Sequence, residues 1–421
     1  MIYFLLIILY TSFFVAGFLK ISRSYRNYIS AQQVTISFIT KVVFGMAYGF
    51  LFLKLYNGDD TWQYHNLSVI EYKQVLQHPL NFFSDIRIKA DGDSSIGAMY
   101  DTQNSLWNKL DDILFVKMLV IFNILSFGNY YVNVVLFCGL VYFGHLMLFR
   151  QFTRSFPKSS FLLKISIFYF PMVIFWLSGI RKEGLLFLAL TLVLYYFDCL
   201  LRKEKNLIKN VFFVMTGLII LLLMRSFMLL CLAPSLLAWY LCYRFKRQGI
   251  VIFAAVYLLS VGIFFLSGKI RGLPDLAVKV TQRQYDFLGL TARTRLPLDS
   301  LKGTASSYFD VLPQAVNHAF VRPYITESSG ILHLLSSIDV LVFFTILIMS
   351  IIFRRPDWKA VLNHPLVLCC LFTAFFGYLI IGYTVPFPGA FVRYKAIFEL
   401  LFLSSFLALF RTLNWSRKPY Y

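Results

Sequence analysis

Runs of apolar residues long enough to cross a lipid bilayer recur along the whole chain, and they constrain its fold more than any other feature. A membrane-spanning helix needs roughly 17–25 mainly apolar residues. Because 59% of the 421 residues are hydrophobic and only 14% are charged, a soluble fold could not bury so much apolar surface. We predict eleven spans, at residues 1–19, 36–56, 129–149, 161–178, 184–201, 210–224, 227–243, 250–267, 331–353, 361–381 and 393–410.

The predicted fold class is therefore an all-α integral membrane protein with about eleven transmembrane helices. No Pro- or Ser-rich linker interrupts the chain, so we predict one polytopic membrane domain over residues 1–421. The six cysteines all lie within apolar runs, which predicts that they form no disulfides. The formal charge of +20 does not indicate nucleic acid as a partner, because the basic residues punctuate the apolar runs and form no continuous face.

The short polar segments between spans indicate an orientation. Basic side chains favour cytoplasmic loops. Alternate segments hold three or four Lys and Arg each, and together only one Asp and one Glu. These predicted cytoplasmic segments are 20–35, 150–160, 202–209, 244–249, 354–360 and 411–421. The apolar N-terminal run is followed by Lys20, which predicts an uncleaved anchor with the N-terminus outside and the C-terminus in the cytoplasm.

Two connections on the predicted outer face are much longer than the others. Residues 57–128 carry nine acidic and five basic residues, whereas residues 268–330 carry five acidic and eight basic ones. Loops longer than about 15 residues in compact proteins are usually functional. Within the first loop, residues 104–127 combine helically spaced apolar residues with charges, which predicts an interfacial or re-entrant helix.

The first long loop opens with an acidic pair, Asp59 and Asp60, directly after the second predicted span. The segment Thr61–His78 reads as a helix, so either carboxylate can cap it. A carboxylate at a membrane–water boundary can also act as a general base or orient a cation. We predict Asp60 and Asp59 as catalytic candidates, with Tyr64 and His65 in supporting positions.

The tripeptide Arg181-Lys182-Glu183 forms the whole connection between two predicted spans, 161–178 and 184–201. It faces outward in this topology, against the positive-inside bias. A forked guanidinium beside a compact ammonium suits a phosphate, and Glu183 can hold one of the two cations as a salt-bridge partner. The alternative is that both basic side chains simply extend to the membrane interface.

Other basic residues recur on the same predicted face. Arg225 interrupts an apolar stretch, where a charge at the bilayer centre costs about 2.5–3.5 kcal/mol. Arg322 ends the second long loop, and Arg393 and Lys395 enter the last span. Together with Arg181 and Lys182, these are the predicted phosphate-binding residues.

The sequence does not indicate a cofactor. The six histidines have no metal-ligand spacing, and no phosphate-binding loop, dinucleotide fingerprint or zinc-type cysteine pair occurs. We predict no metal ligands and no required cofactor, although the Asp59–Asp60 pair leaves room for a divalent ion.

The acidic residue at the head of the first outer loop, followed by Tyr64, resembles the membrane-embedded glycosyltransferases of the GT-C type. In those enzymes the acidic loop usually follows the first span, whereas here it follows the second. The resemblance implies a polyprenyl- or dolichyl-phosphate sugar as donor, Asp60 as the catalytic carboxylate, and Asp59 as its substitute. It carries Arg181, Lys182 and Arg393 over only as basic phosphate-binding candidates.

A second resemblance covers most of the chain, roughly residues 50–410. Three short segments are similar to bacterial membrane proteins encoded in polysaccharide gene clusters: Trp176–Glu183, Arg322–Tyr324 and Gly389–Lys395. The two resemblances imply an enzyme of the bacterial cytoplasmic membrane. Its expected partners are a polyprenyl-phosphate-linked sugar, a glycan or lipid acceptor, and membrane lipids.

The function expected from these features is transfer of a sugar to an envelope glycan or lipid on the outer face of that membrane. One alternative is a polymerase or ligase of lipid-pyrophosphate-linked oligosaccharides, which can work without a catalytic carboxylate. Another is a transporter of lipid-linked sugars, for which helices broken near mid-membrane are typical. A purely structural membrane protein would not explain the outward-facing charges.

Overall fold

The computed structural model describes residues 1–80, 82–83, 92, 94–95, 97–100, 105–246, 248–291, 294–327 and 330–411. Within these ranges the chain is helical and has no β-strand. The α-helices are α1 (Ile2–Ile21), α2 (Ala31–Tyr56), α3 (Asp59–Gln77), α4 (Leu106–Ser126), α5 (Tyr130–Ser155), α6 (Ser160–Tyr169), α7 (Pro171–Trp176), α8 (Lys182–Leu201), α9 (Leu207–Arg225), α10 (Phe227–Phe245), α11 (Gly249–Leu266), α12 (Leu276–Gly289), α13 (Ala305–Val316), α14 (Ile331–Ile352), α15 (Trp358–Leu362), α16 (Pro365–Thr384) and α17 (Pro388–Leu409).

Nine helices in the described part of the chain are long and apolar enough to cross a membrane. The predicted class, a helical membrane protein, is therefore supported, whereas the count of eleven spans is not reached. The two remaining predicted spans differ from the nine in identifiable ways. Residues 161–178 are divided between α6 and α7, and residues 393–410 fall in α17, which carries Arg393, Lys395 and Glu399.

The break between α6 and α7 lies at Phe170, which is extended (φ −66°, ψ 117°) and precedes Pro171. Proline has no N–H and disfavours a helical residue before it. The Ile167 carbonyl, four residues before Pro171, instead accepts a hydrogen bond from His145 Nδ1 at 2.8 Å. The candidate span over 161–178 is therefore not one continuous helix, which hydropathy could not indicate because it does not register this missing hydrogen bond.

A buried lysine donates hydrogen bonds at the C-terminal end of this broken helix. Lys41, on α2, is 1% exposed, and its Nζ donates to the Leu177 carbonyl at 2.8 Å and to Ser178 Oγ at 3.3 Å. The same nitrogen lies 3.2 Å from His145 Nε2, on α5. A cation at a helix C-terminus is favourable because the last carbonyls lack partners. The Lys41–His145 pair therefore fixes the segment that leads to Arg181.

The predicted cytoplasmic segments lie together at one end of the helix bundle. Side-chain and backbone contacts join them across long sequence separations. The contacts are an Arg154–Glu204 salt bridge, Ser159 Oγ to the Ala408 carbonyl at 3.3 Å, the Ile250 N–H to Asn363 Oδ1 at 2.9 Å, and the Arg411 N–H to the Phe353 carbonyl at 2.7 Å. Such grouping is what alternating spans require, while the side of the membrane that this end faces stays a prediction.

The two long connections contain helices that pack onto the bundle. Helix α3 agrees closely with the predicted helix over 61–78, and α4 with the one over 104–127. Asn123 on α4 donates to Ser68 on α3 at 2.9 Å, so the two helices are joined by buried polar contacts. Helices α12 and α13 form a second layer against α16. Their contacts include Gln284 Nε2 to the Tyr383 carbonyl and Tyr383 Oη to the Tyr308 carbonyl, both at 2.8 Å.

Each of the six cysteines is buried and none is paired, in agreement with the prediction of no disulfides.

Candidate functional site

A cavity of about 260 Å³ lies where the first turns of α3 and α8 meet α4, α12, α17 and the C-terminal end of α9. Five cationic and three acidic side chains line it, so its wall carries an excess of positive charge. These side chains are Asp60, Asp111, Arg181, Lys182, Glu183, Arg225, Arg283 and Arg393. A water-accessible cavity of this kind suits an anionic ligand.

The acidic pair stands in the first turn of α3, and neither carboxylate caps the helix. The N-cap residue is Gly58, whose φ of 109° favours glycine, and no side chain bonds the free N–H groups there. The capping interpretation was therefore wrong. Asp60 Oδ2 accepts hydrogen bonds from Arg181 Nη1 at 2.8 Å and from Arg393 Nη1 at 3.2 Å. Asp59 pairs with Arg181 Nη2 but does not line the cavity.

The segment before Arg181 is held tightly in place. Gly179 lies against the Tyr48 ring, and a Cβ there would come within 2.5 Å of it, so a larger residue would displace the segment. Thr61 Oγ1, on α3, donates to the Ile180 carbonyl at 3.1 Å. The backbone on both sides of the site is thus joined directly, which sets where Arg181 can reach.

Arg181 is 2% exposed, and its two Nη groups are committed to Asp60 and Asp59. Burial disfavours its charge, but the neighbouring Tyr48, Asp60 and Asp59 outweigh burial and raise the pKa of the guanidinium above its ordinary value. Because these donors already have partners, Arg181 mainly positions the two carboxylates. This geometry therefore does not favour the predicted role of Arg181 as a direct phosphate ligand.

Lys182 faces a second acidic pair that sequence reasoning missed. Its Nζ lies 2.7 Å from Asp111 Oδ2 and 2.6 Å from Asp112 Oδ1, both on α4. Tyr64, which lines the cavity as predicted, donates to Asp112 Oδ1 at 2.7 Å. Burial raises the pKa of Asp111 to about 6, although Lys182 opposes the shift. The adjacent pair Asp111-Asp112 within this amphipathic helix was the available signal.

Glu183 holds Arg225 and Arg393 rather than its chain neighbours Arg181 and Lys182. Its Oε1 lies 3.3 Å from Arg225 Nη2 and 3.4 Å from Arg393 Nε, and the side chain is 3% exposed. The predicted salt bridge of Glu183 to Arg181 or Lys182 was therefore wrong. Arg393 consequently bridges Glu183 and Asp60. The Tyr394 ring supports both guanidinium groups, at 4.0 Å from Arg225 and 4.9 Å from Arg393.

Arg283, on α12, is a further cation of the cavity that sequence reasoning missed. Its guanidinium stacks on Phe227 and Phe287, at 4.7 and 5.7 Å from the ring centres. In the part of the chain that the structure describes, it forms no ion pair. Burial and the nearby charge of Arg225 lower its pKa to about 10. Nothing in the local sequence separates Arg283 from the other basic residues of the second long loop.

Besides Asp59, three predicted residues lie outside the cavity. Lys395 Nζ contacts the Arg322 carbonyl at 3.5 Å, and Arg322 pairs with Glu327 at 3.4 Å. His65 is buried beside Trp62 and Tyr130, and burial lowers the pKa of its imidazole to about 4. A neutral, packed imidazole is a core residue, so the supporting role predicted for His65 is structural.

The described ranges contain no group of three His, Cys, Asp or Glu side chains that could hold a metal ion. That finding does not decide whether the protein uses a metal, so the prediction of no required cofactor stays a prediction.

Comparison with known proteins does not place the chain in a family. No family model, no curated protein and no solved structure matches it. The resemblance to GT-C glycosyltransferases therefore rests on the acidic residue at the head of the first outer loop and on Tyr64, and the function has to be argued from the cavity itself.

Proposed function

We propose that this protein is a membrane-embedded glycosyltransferase that moves a sugar from a polyprenyl-phosphate donor to an envelope glycan or lipid acceptor. One observation carries the proposal: the carboxylate of Asp60 shares a cavity with Arg225, Arg283 and Arg393, among helices long enough to span a membrane. A general base and an anion-binding cluster in one cavity are the two parts that transfer from a phosphate leaving group requires.

The chemistry needs one proton transfer and one displacement. An acceptor hydroxyl attacks C1 of the sugar, forming a new C–O bond as the bond from C1 to the phosphate oxygen breaks. The bonding electrons leave with the phosphate, and the hydroxyl proton passes to Asp60, so the configuration at C1 inverts. Asp60 is suited to this role because its side chain is 43% exposed and its Oδ2 is oriented by two arginines.

The departing phosphate gains negative charge, which fixed cations stabilise. Arg283 has no ion-pair partner in the described structure, and Arg225 shares Glu183 with Arg393, so these groups can bind an anion at little cost. Lys182 lies across the cavity with Asp111 and Asp112. Preorganised donors in a site shielded from water are often the largest catalytic contribution.

The distribution of basic residues supports a place for this reaction on the outer face of a bacterial cytoplasmic membrane. The loops opposite the cavity are the ones rich in Lys and Arg. A donor attached to a lipid phosphate can reach an outer-face cavity from within the membrane, whereas a nucleotide sugar cannot.

Substitution of Asp60 by asparagine tests the proposal. Asp60→Asn keeps the shape and most hydrogen bonds but cannot accept the proton, so transfer should fall by about 10²–10⁴-fold. The assay uses purified protein in nanodiscs with a radiolabelled polyprenyl-phosphate sugar, and lipid-linked intermediates are profiled in cells. Asp310→Asn, at an exposed position away from the cavity, is the matched control. Normal transfer by correctly inserted Asp60→Asn would contradict the mechanism.

A polymerase or ligase acting on lipid-pyrophosphate-linked oligosaccharides is the second candidate. The observation in its favour is that Asp60 is held by two guanidinium groups, which also suits a purely structural carboxylate. Under this alternative, Asp60→Asn stays active, whereas Arg283→Gln cells accumulate single unpolymerised repeats. The break at Pro171 would suit a transporter, but His145 and Lys41 satisfy the freed carbonyls, and neither residue lines the charged cavity.

A further inference from the structure

A second and larger cavity, of about 490 Å³, lies beside the charged one among α10, α11, α12, α13 and α16. Its wall is almost entirely apolar and includes Leu230, Pro234, Val261, Phe265, Val280 and Phe309. Its volume is within the range of about 300–1,000 Å³ that small-molecule sites occupy. No cationic side chain lines this apolar cavity, so it does not suit the anionic part of a ligand.

The two cavities are successive along α12. Leu276 and Val280 line the apolar cavity, and Arg283 and Phe287 line the charged one. The steps between these residues are four, three and four, which place all of them on one face of a helix. That face therefore passes from apolar to cationic within one turn.

The same change occurs along a second element. Arg225 and Ser226, where α9 gives way to α10, line the charged cavity, and Leu229 and Leu230 line the apolar one. Helix α12 and the junction of α9 with α10 thus bound both spaces. The boundary falls between Arg225 and Leu229 at the junction and between Val280 and Arg283 on α12. A ligand filling both spaces must have an anionic end and an apolar end.

We infer that the apolar cavity binds the isoprenoid chain of the lipid-linked phosphate, with the phosphate held between Arg225 and Arg283. The inference rests on the proposed function for its choice of lipid. Arg225 and Arg283 repel one another, and an anion between them relieves that repulsion. One charged cavity beside one apolar cavity fits a lipid with a single chain better than a phospholipid with two.

The apolar cavity is also accessible from the lateral surface of the helix bundle. Ala233, in its wall, is exposed, and Ile263 is 51% exposed on the surface of a helix long enough to cross the membrane. A lipid can therefore enter from the bilayer without leaving its apolar surroundings. Burial of each additional methylene group then favours binding.

Photocrosslinking with a diazirine-bearing farnesyl phosphate tests this inference on the full chain in phosphatidylcholine nanodiscs. We expect labels on peptides of α10 and α11. Val261→Trp fills the cavity and should lower labelling about tenfold, equivalent to the loss of a few buried methylene groups. Leu259→Trp is the matched control, because Leu259 lies two residues away on α11 and is 67% exposed outside the cavity.

A second pair of variants tests binding of the phosphate group. Arg283→Gln should weaken labelling by a similar factor, whereas Arg271→Gln, at an exposed position of the same long connection, should not. Unchanged labelling in both Val261→Trp and Arg283→Gln would overturn the inference. So would equal labelling by a phosphatidylglycerol probe that unlabelled farnesyl phosphate does not displace.

The outcome separates this inference from the proposed function. Labelling needs no sugar transfer, so Asp60→Asn, which loses transfer, should still be labelled at least as strongly as the wild type. If labelling depends on Val261 but no sugar is ever transferred, the lipid site stands and the glycosyltransferase proposal fails. If Val261→Trp transfers sugar with an unchanged KM, the enzyme proposal stands and the lipid site is wrong.

Discussion

At the scale of single residues, Arg393 is the side chain that joins the two halves of the site. It reaches Asp60 through Nη1 at 3.2 Å and Glu183 through Nε at 3.4 Å. The two contacts use different nitrogens of one rigid guanidinium, and a single lysine ammonium cannot occupy both positions. Arg393→Lys should therefore keep the charge but lower kcat by about 10²-fold, the cost of losing one preorganised donor.

Steady-state kinetics in nanodiscs check this prediction, with Arg295→Lys at an exposed position as the control. A change confined to KM would mean that Arg393 contributes only charge to donor binding. Full activity in Arg393→Lys would show that bridging Asp60 and Glu183 is unimportant.

Asp111 gives the cavity a pH dependence. Burial raises the pKa of its carboxyl to about 6, so protonation removes a negative charge from the wall as the pH falls through that value. Lys182 then keeps only Asp112 as an ion-pair partner. Anion binding should strengthen by about fivefold, a magnitude that one unit charge at this range supplies.

Binding of sulfate, which does not titrate in this range, should be measured by isothermal calorimetry between about pH 7 and pH 5. Asp111→Asn has no carboxyl to titrate and should bind sulfate equally at both values. His65, with a pKa of about 4, does not contribute in this window. An unchanged pH dependence in Asp111→Asn would assign the effect to another group.

At the scale of helices, the sequence predicts structure well where the spacing of apolar residues determines a helix. It predicts structure poorly where a hydrogen bond from another helix determines a break. The helix over 61–78 and the amphipathic helix over 104–127 were predicted close to α3 and α4, because spacing of apolar residues indicates both. The break at Pro171 was missed, since the run 161–178 is apolar on both sides of it. Its stability depends on His145 and Lys41, which come from other helices.

The broken helix yields a prediction about stability. His145→Ala leaves the Ile167 carbonyl buried without a donor, which should cost about 1–3 kcal/mol of unfolding free energy. Pro171→Ala restores an N–H four residues after Ile167, so the same His145 substitution should cost less in that background. Thermal unfolding of the four proteins in detergent measures this coupling.

Two lysines of α2 provide a matched pair for these measurements, because only Lys41 contacts the broken helix. Lys41→Met should destabilise the protein, while Lys54→Met, at an exposed position of the same helix, should not. Equal costs of His145→Ala with and without Pro171 would contradict the account of the break.

At the scale of the whole molecule, the site consists of residues that lie far apart in sequence. Asp60 and Arg393 are 333 residues apart, and Glu183 lies between them. Positive-inside reasoning nominated six basic residues for one face. Arg181, Lys182, Arg225 and Arg393 line the cavity, whereas Arg322 and Lys395 do not. This reasoning could not supply their partners, because which carboxylate meets which guanidinium depends on how the helices pack. Asp111 and Arg283 were missed for the same reason.

Under the proposed function, the orientation of the whole bundle decides which sugar donors can reach the cavity, and this orientation can be measured. The six native cysteines are buried, so single introduced cysteines should report against a low background. Asp310→Cys, on the second long connection, should react with a membrane-impermeant maleimide in intact cells. Lys359→Cys, on a predicted cytoplasmic segment, should react only after the cells are opened. The reverse pattern would place the cavity in the cytoplasm, where soluble nucleotide sugars are present, and a lipid-phosphate donor would no longer be required.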